Sequence, residues 1–197
     1  MWPMPKLKKR EPLDRVAFFG PMAVGKTWCA TVAGHWGEAK VISFASVLKS
    51  IAYELYGYTT DKKNEYRELL QQLGDDFRRY DPDVFIKYAL KEIEQIEKYT
   101  RIPPRILIDD LRYPNESEIL KKNGFTLIRV ECSEDIRTVR LSTLYPNVAP
   151  RAILHASERS YEAIEPDYTV TSDGVDTFLA LGKIFGENSN HWNKSQS

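Results

Sequence analysis

The stretch Val16-Ala17-Phe18-Phe19-Gly20-Pro21-Met22-Ala23-Val24-Gly25-Lys26-Thr27 decides how the rest of the chain is read. Its first four residues are continuously apolar, the pattern of a short strand buried on both faces. The last eight satisfy G-x-x-x-x-G-K-[ST], and Lys26 to Ala33 continue as a helix. Strand, loop and helix in that order are the setting in which this motif binds phosphate. Gly20 and Gly25 let the backbone fold tightly, so that successive N–H groups converge on an anion and the helix N-terminus adds partial positive charge. Lys26 is suited to neutralising β- and γ-phosphates, and Thr27 to offering its hydroxyl to Mg²⁺. The motif predicts a nucleotide-binding loop.

Working outward, Val41-Ile42-Ser43-Phe44, Ile106-Leu107-Ile108, Thr126 to Val130 and Tyr168-Thr169-Val170 read as four further strands. Phe44, Val47, Leu48, Ile51 and Leu55 mark one face of an amphipathic helix. Residues 61 to 99 read as two helices divided at Asp81-Pro82, with Asp81 as N-cap and Pro82 at the first helical position. Further helices are expected between the Ile106 and Thr126 strands, over 134 to 144, and over Thr177 to Phe185. Short apolar strands alternating with longer helices predict an α/β, three-layer fold with about five parallel strands and helices on both faces. At 197 residues one domain is expected. Residues 1 to 13 form a basic leader and 187 to 197 a polar, frayed tail; no internal repeat is evident.

The chain carries 28 Lys+Arg against 28 Asp+Glu, a formal net charge of zero. That balance argues against a general nucleic-acid coat or membrane-surface binder, which need a positive excess, so any anion must be met by a local cluster. No stretch approaches the roughly 18 apolar residues of a membrane span, and the N-terminus lacks an apolar signal core. Cys29 and Cys132 lie far apart and outside any CxxC pattern, which points to a reducing compartment. A soluble cytoplasmic protein is expected, with the choice between monomer and homodimer left open.

A second signal is Arg105-Ile106-Leu107-Ile108-Asp109-Asp110, an apolar strand ending in two carboxylates. In an open α/β sheet the ligand sits at the carboxyl ends of the strands, so Asp109 and Asp110 should face the loop and hold Mg²⁺. The competing reading makes one of them a helix cap. Joining two phosphate-bearing substrates also demands several cations at close range, a task for arginine's planar fork. Arg137 and Arg140, at i and i+3, share one helix face, and Arg151 and Arg159 flank His155. Each arginine reads equally as a phosphate ligand or as an exposed ion-pair partner.

Asp110-Leu111-Arg112-Tyr113-Pro114-Asn115-Glu116 resembles the D-V-R-F-P-N-E signature of the bacteriophage-type deoxynucleoside monophosphate kinases. Ser43-Phe44-Ala45 with Leu48-Lys49, Arg67 to Gly74, His155-Ala156-Ser157-Glu158, Asp167-Tyr168 and Asp173-Gly174 agree in order, so the resemblance spans about residues 14 to 186. It implies a P-loop kinase fold that transfers the γ-phosphoryl of ATP to a deoxynucleoside monophosphate. ATP would lie on Gly20, Ala23, Val24, Gly25, Lys26, Thr27 and Trp28. Phe44, Lys49, Arg67, Gln71 and Arg112 would line the acceptor side, within a helical region at 44 to 99. Arg137 and Arg140 would act as lid arginines, within a region at 133 to 160. The implied catalytic set is Lys26, Asp110, Arg112, Arg137 and Arg140. Trp28 after Gly25-Lys26-Thr27, Tyr113 in place of phenylalanine and Ser172 in place of asparagine depart from the family's pattern.

His155 and Glu158 read either as structural residues or as substrate contacts. The three histidines have no zinc-ligand spacing, and no G-x-S-x-G elbow accompanies Ser157. Rival readings are a P-loop kinase for another acceptor, such as dephospho-coenzyme A or a hydroxymethylated pyrimidine in DNA, and a regulatory or non-catalytic nucleotide binder. A GTP switch normally carries N-K-x-D, whereas the only Asn-Lys here, Asn193-Lys194, is followed by Ser195-Gln196.

Overall fold

The computed structural model describes Met4, Leu7 and residues 13 to 62, 64 to 146 and 159 to 186. Most of the leader, residues 147 to 158 with Arg151, His155 and Glu158, and the 187 to 197 tail lie outside the described residues.

Five strands form one parallel sheet: β1 (Arg15–Phe19), β2 (Ala39–Ile42), β3 (Arg105–Leu111), β4 (Thr126–Glu131) and β5 (Tyr168–Thr171), in the order β2-β3-β1-β4-β5. Among the described residues, seven α-helices accompany them: α1 (Lys26–Ala33), α2 (Ala45–Tyr56), α3 (Arg67–Tyr80), α4 (Val84–Tyr99), α5 (Pro114–Lys122), α6 (Glu134–Leu144) and α7 (Val175–Gly186).

The alternation of side chains across the sheet builds two cores. Ala17, Phe19, Ile106, Ile108 and Leu127 face one side and pack with Phe85, Ile86, Ala89, Leu90 and Ile93 of α4 and Leu120 of α5. Val16, Phe18, Leu107, Ile128 and Val130 face the other and meet Cys29, Ala30 and Ala33 of α1 and Leu181 and Phe185 of α7. Continuously apolar strands arise because both faces are covered. No helix among the described residues is long and apolar enough to cross a membrane, and Cys29 and Cys132 are both free thiols.

Three local expectations are corrected. The second strand ends at Ile42 rather than Phe44, because the Asp110 carboxylate accepts from Ser43 Oγ (2.7 Å) and the Phe44 N–H (2.8 Å) and draws them out of the ladder. The helix after Asp81-Pro82 starts at Val84. Asp81 instead closes a turn, accepting from the Asp83 N–H at 3.1 Å and from Lys87 Nζ at 2.9 and 3.0 Å. On α2 the buried residues are Leu48 and Ala52, in line with buried Phe44 at four-residue steps, while Leu55 is 70% exposed. Val47 packs partly against the core as well, so of the predicted face only Leu55 is exposed.

Candidate active site

At the carboxyl end of β1 the chain enters the loop Gly20 to Thr27, and the positive-φ positions there explain its glycines. Gly20 has φ +141°, and a Cβ on it would lie 2.4 Å from the Val130 carbonyl oxygen. Gly25 has φ +100°, with Ser172 Oγ 3.0 Å from the same imagined atom. Ala23, at φ +64°, adopts the left-handed conformation without being glycine. Such alternation of backbone conformation turns N–H groups to one side of a loop and carbonyls to the other. Lys26 Nζ reaches back to donate to the Gly20 and Pro21 carbonyls, each at 2.8 Å.

Neighbouring β3 carries one extra residue here. Ala17 pairs with Ile108 and Phe19 with Leu111, so Asp109-Asp110 occupy an irregularity in the ladder. Such an irregularity re-aims side chains, and the two acids part company. Asp110 accepts from Ser43 Oγ and from the Phe44 and Ala45 N–H groups, the last at 2.9 Å, so it caps the start of α2. Asp109 turns to the loop, where its Oδ2 accepts from Thr27 Oγ1 at 2.8 Å. Its Oδ1 is buried with no hydrogen-bond partner among the described residues. Burial, with the Asp110 charge beside it, pushes the Asp109 carboxyl above the usual range, while Thr27, Lys49 and Lys26 pull it down. The cap weighed for these acids thus falls to Asp110, while Asp109 faces the loop.

An orphaned carboxylate oxygen beside a threonine hydroxyl fits Mg²⁺, which is held by one or two protein oxygens together with phosphates and water. Among the described residues no group of three or more His, Cys, Asp and Glu could cage a metal. Thr27 and Asp109 are the pair that would hold it.

A cleft of about 580 Å³ opens in front of the loop. Met22, Ala23, Gly25, Lys26, Thr27 and the 44% exposed Trp28 line its loop side. Phe44, Lys49, Arg67, Gln71, Asp110 and Arg112 line the same cleft, so every acceptor-side residue expected among the described ones reaches it. Arg67 lies over the Tyr145 ring, 4.7 Å from its centroid. Gly20, Val24 and Arg137 are not among the residues lining the cleft. Arg137 Nε donates to the Met22 carbonyl (3.2 Å), and Arg140 Nη1 donates to the Val24 carbonyl (3.2 Å) while Arg140 also lines the cleft. Both supposed lid arginines therefore bind carbonyls of the Gly20 to Thr27 loop.

Arg78, which the motifs did not single out, also lines the cleft. It is sandwiched between Tyr113 and Phe85, at 4.2 and 4.5 Å from the ring centroids. Its Nη2 donates to Glu116 Oε1 at 2.9 Å. Glu116 is 1% exposed, and its other oxygen accepts from the Arg112 and Tyr113 N–H groups at 3.3 and 3.1 Å. Burial pushes the Glu116 carboxyl up, against the downward pull of Arg78. Each residue of the Asp110 to Glu116 stretch thus has a place, Leu111 in the buried core. Asp110 caps α2, Arg112 reaches the cleft, Tyr113 stacks on Arg78, and Pro114 opens α5. Asn115 Nδ2 fastens the start of α4 through Asp83 Oδ1 at 2.8 Å. Gly74 and Arg78 extend the Arg67 and Gln71 face of α3 at helical spacing; following that stripe would have found Arg78.

No protein-family model and no curated relative matches the chain. Solved structures do. TT1252 from Thermus thermophilus superposes with a TM-score of 0.51 at 15% identity, covering 90% of this chain and 98% of that one. A protein of Chloroflexus aurantiacus described as a candidate kinase gives 0.53 at 14%, covering 89% and 97%. Shikimate kinase from Bacteroides thetaiotaomicron gives 0.46 at 13%, covering 88% and 96%. The likeness is one of fold, a five-stranded parallel α/β sheet.

Proposed function

We propose that the protein is a P-loop phosphotransferase that moves the γ-phosphoryl group of ATP to a nucleoside monophosphate, giving ADP and a nucleoside diphosphate. The observation that carries this reading is one cleft lined both by Lys26 and Thr27 of the loop and by Lys49, Arg67 and Arg112 from other elements. A hydrolase needs a water site beside the γ-phosphate; further cations in the same cleft suit a second anion. The Asp110 to Glu116 resemblance narrows the acceptor to a deoxynucleotide, for DNA precursor synthesis.

A monophosphate ester has its second pKa near about 6, so at neutral pH the acceptor is already a nucleophilic dianion and no general base is required. The chain's work is then positioning and charge stabilisation. Loop N–H groups and Lys26 orient the triphosphate, and Lys26 must exchange its loop carbonyls for phosphate oxygens. Arg112 and Arg67 hold the acceptor phosphate in line, with Lys49 beside them. Thr27 and Asp109 would hold Mg²⁺, which when bound neutralises charge on the β- and γ-phosphates.

The test is a coupled assay with ATP and Mg²⁺ against ribo- and deoxynucleoside monophosphates, modified pyrimidines included. Conversion of at least one is expected. If protein that binds ATP converts none, the acceptor assignment is wrong. Lys26→Ala should lower turnover by about 1,000-fold or more, in line with removing a cation from a phosphoryl-transfer site, with an unchanged circular dichroism spectrum. Near-normal turnover would take the loop out of the mechanism.

A further inference from the structure

Arg140 and Ser172 form a cluster that phosphate chemistry does not require. Ser172, just after β5, is 1% exposed. Its hydroxyl donates to the Val24 carbonyl and accepts from Arg140 Nη1 at 2.9 Å. Arg140 Nη1 also donates to the Val24 carbonyl at 3.2 Å, and Nη2 donates to the Ser172 carbonyl at 2.6 Å. Three separate segments, the phosphate loop, the turn after β5 and helix α6, therefore meet at one carbonyl.

That carbonyl matters because of the peptide it belongs to. There are no cis peptides among the described residues, and in a trans peptide C=O and N–H point in opposite directions. Fixing the Val24 carbonyl fixes the Gly25 N–H, which points the opposite way. One helical turn earlier on α6, Arg137 Nε does the same for the Met22 carbonyl at 3.2 Å, and so for the Ala23 N–H. Alternate peptides of the loop are thus fixed by their carbonyls. The packing leaves no slack, since a Cβ on Gly25 would lie 3.0 Å from Ser172 Oγ and 3.5 Å from Arg140 Nη1.

We infer that Arg140 and Ser172 are positioning residues, a brace that presets the anion-binding N–H groups of the phosphate loop, and that Arg140 acts through its forked hydrogen bonds to Val24 and Ser172. Serine suits this place because its hydroxyl both donates to Val24 and accepts from Arg140 at one buried atom.

Ser172→Ala and Arg140→Lys test the brace, the lysine keeping the charge while losing the fork. Hydrogen–deuterium exchange of the nucleotide-free protein should quicken across residues 20 to 27 in both variants. Calorimetry should show ATP binding weakened about ten-fold, the scale of one lost hydrogen bond to a buried carbonyl, with acceptor KM unchanged. Loop exchange identical to wild type in both variants would overturn the brace. So would an Arg140→Lys protein with normal exchange and a defect in kcat alone, which would make Arg140 a cation for the phosphates. The ATP arm rests on the kinase reading and the exchange arm does not. Wild-type protein that binds no ATP would sink that reading and leave the brace to be decided by exchange.

Discussion

Two adjacent aspartates with opposite tasks show how much one residue's surroundings decide. Asp109 is held above the ordinary carboxyl range by burial and by the Asp110 charge. An acid with a raised folded-state pKa destabilises the fold once ionised; the penalty is absent below the unfolded value and grows as pH rises towards the folded one. Asp109→Asn should therefore raise the melting temperature of the nucleotide-free protein at neutral pH. In the same variant kcat should drop by about 100-fold, equivalent to about 2.7 kcal/mol of transition-state stabilisation. In the wild type, kcat/KM for Mg²⁺-ATP should decline on acidification at a pH above the usual aspartate range. A variant both less stable and fully active would refute the metal-facing role.

Asp110→Ala should behave differently. Losing the α2 cap should lower stability by about 1–2 kcal/mol, a fall in Tm of about 2–8 °C for a chain of this size. The catalytic defect should appear in acceptor KM, because Phe44 and Lys49 ride on that helix start. Unchanged stability with lost Mg²⁺ dependence would exchange the two aspartates' roles.

At the scale of elements, the acceptor wall is joined by Glu116, which links α3 to the turn between β3 and α5 through Arg78 and the Arg112 and Tyr113 N–H groups. Glu116→Gln keeps the size but sets an amide NH₂ against donors and leaves the Arg78 charge without its partner. About 2 kcal/mol of stability should be lost, the scale of a charged hydrogen bond, seen as a Tm lower by about 4–8 °C. Acceptor KM should rise as the Arg112 turn loosens, while the Kd for ATP stays constant. Retention of both acceptor KM and stability would show that the pairing has no part in the acceptor wall.

Element types were legible because their causes are local. Buried strands read as apolar runs, and α3 to α6 follow from helical spacing. Element ends were less so, since Ser43 and Phe44 leave β2 for a carboxylate 67 and 66 residues away. Asp81 closes a turn instead of capping a helix because Lys87 and the Asp83 N–H hold its carboxylate. A sequence window cannot see such partners.

For the whole molecule, zero net charge and a localised cationic cleft predict selective binding of small anions. Mg²⁺-ATP at 100 times its Kd should stabilise the protein by about 2.7 kcal/mol, a Tm rise of about 5–11 °C. Duplex DNA at the same phosphate concentration should give no shift; an equal shift would point to a nucleic-acid substrate instead. The global fold also rests on charges the motifs did not touch. Arg15, 2% exposed, bonds Glu97 Oε1 at 2.6 Å and the Asn123 carbonyl at 2.8 Å, tying β1 to α4 and to the turn after α5.

By itself the sequence determined the strand-loop-helix start and the parallel α/β class, because glycine geometry, apolar runs and helical periodicity act over a few neighbours; Phe44, Lys49, Arg67, Gln71 and Arg112 were reached through the family resemblance. Only the tertiary structure decided which aspartate faces the loop, that Arg137 and Arg140 hold its Met22 and Val24 carbonyls, and that Arg78 and Ser172 matter. Those assignments depend on which hydrogen-bond partner, often more than 60 residues distant, lies within about 3 Å once the sheet is assembled.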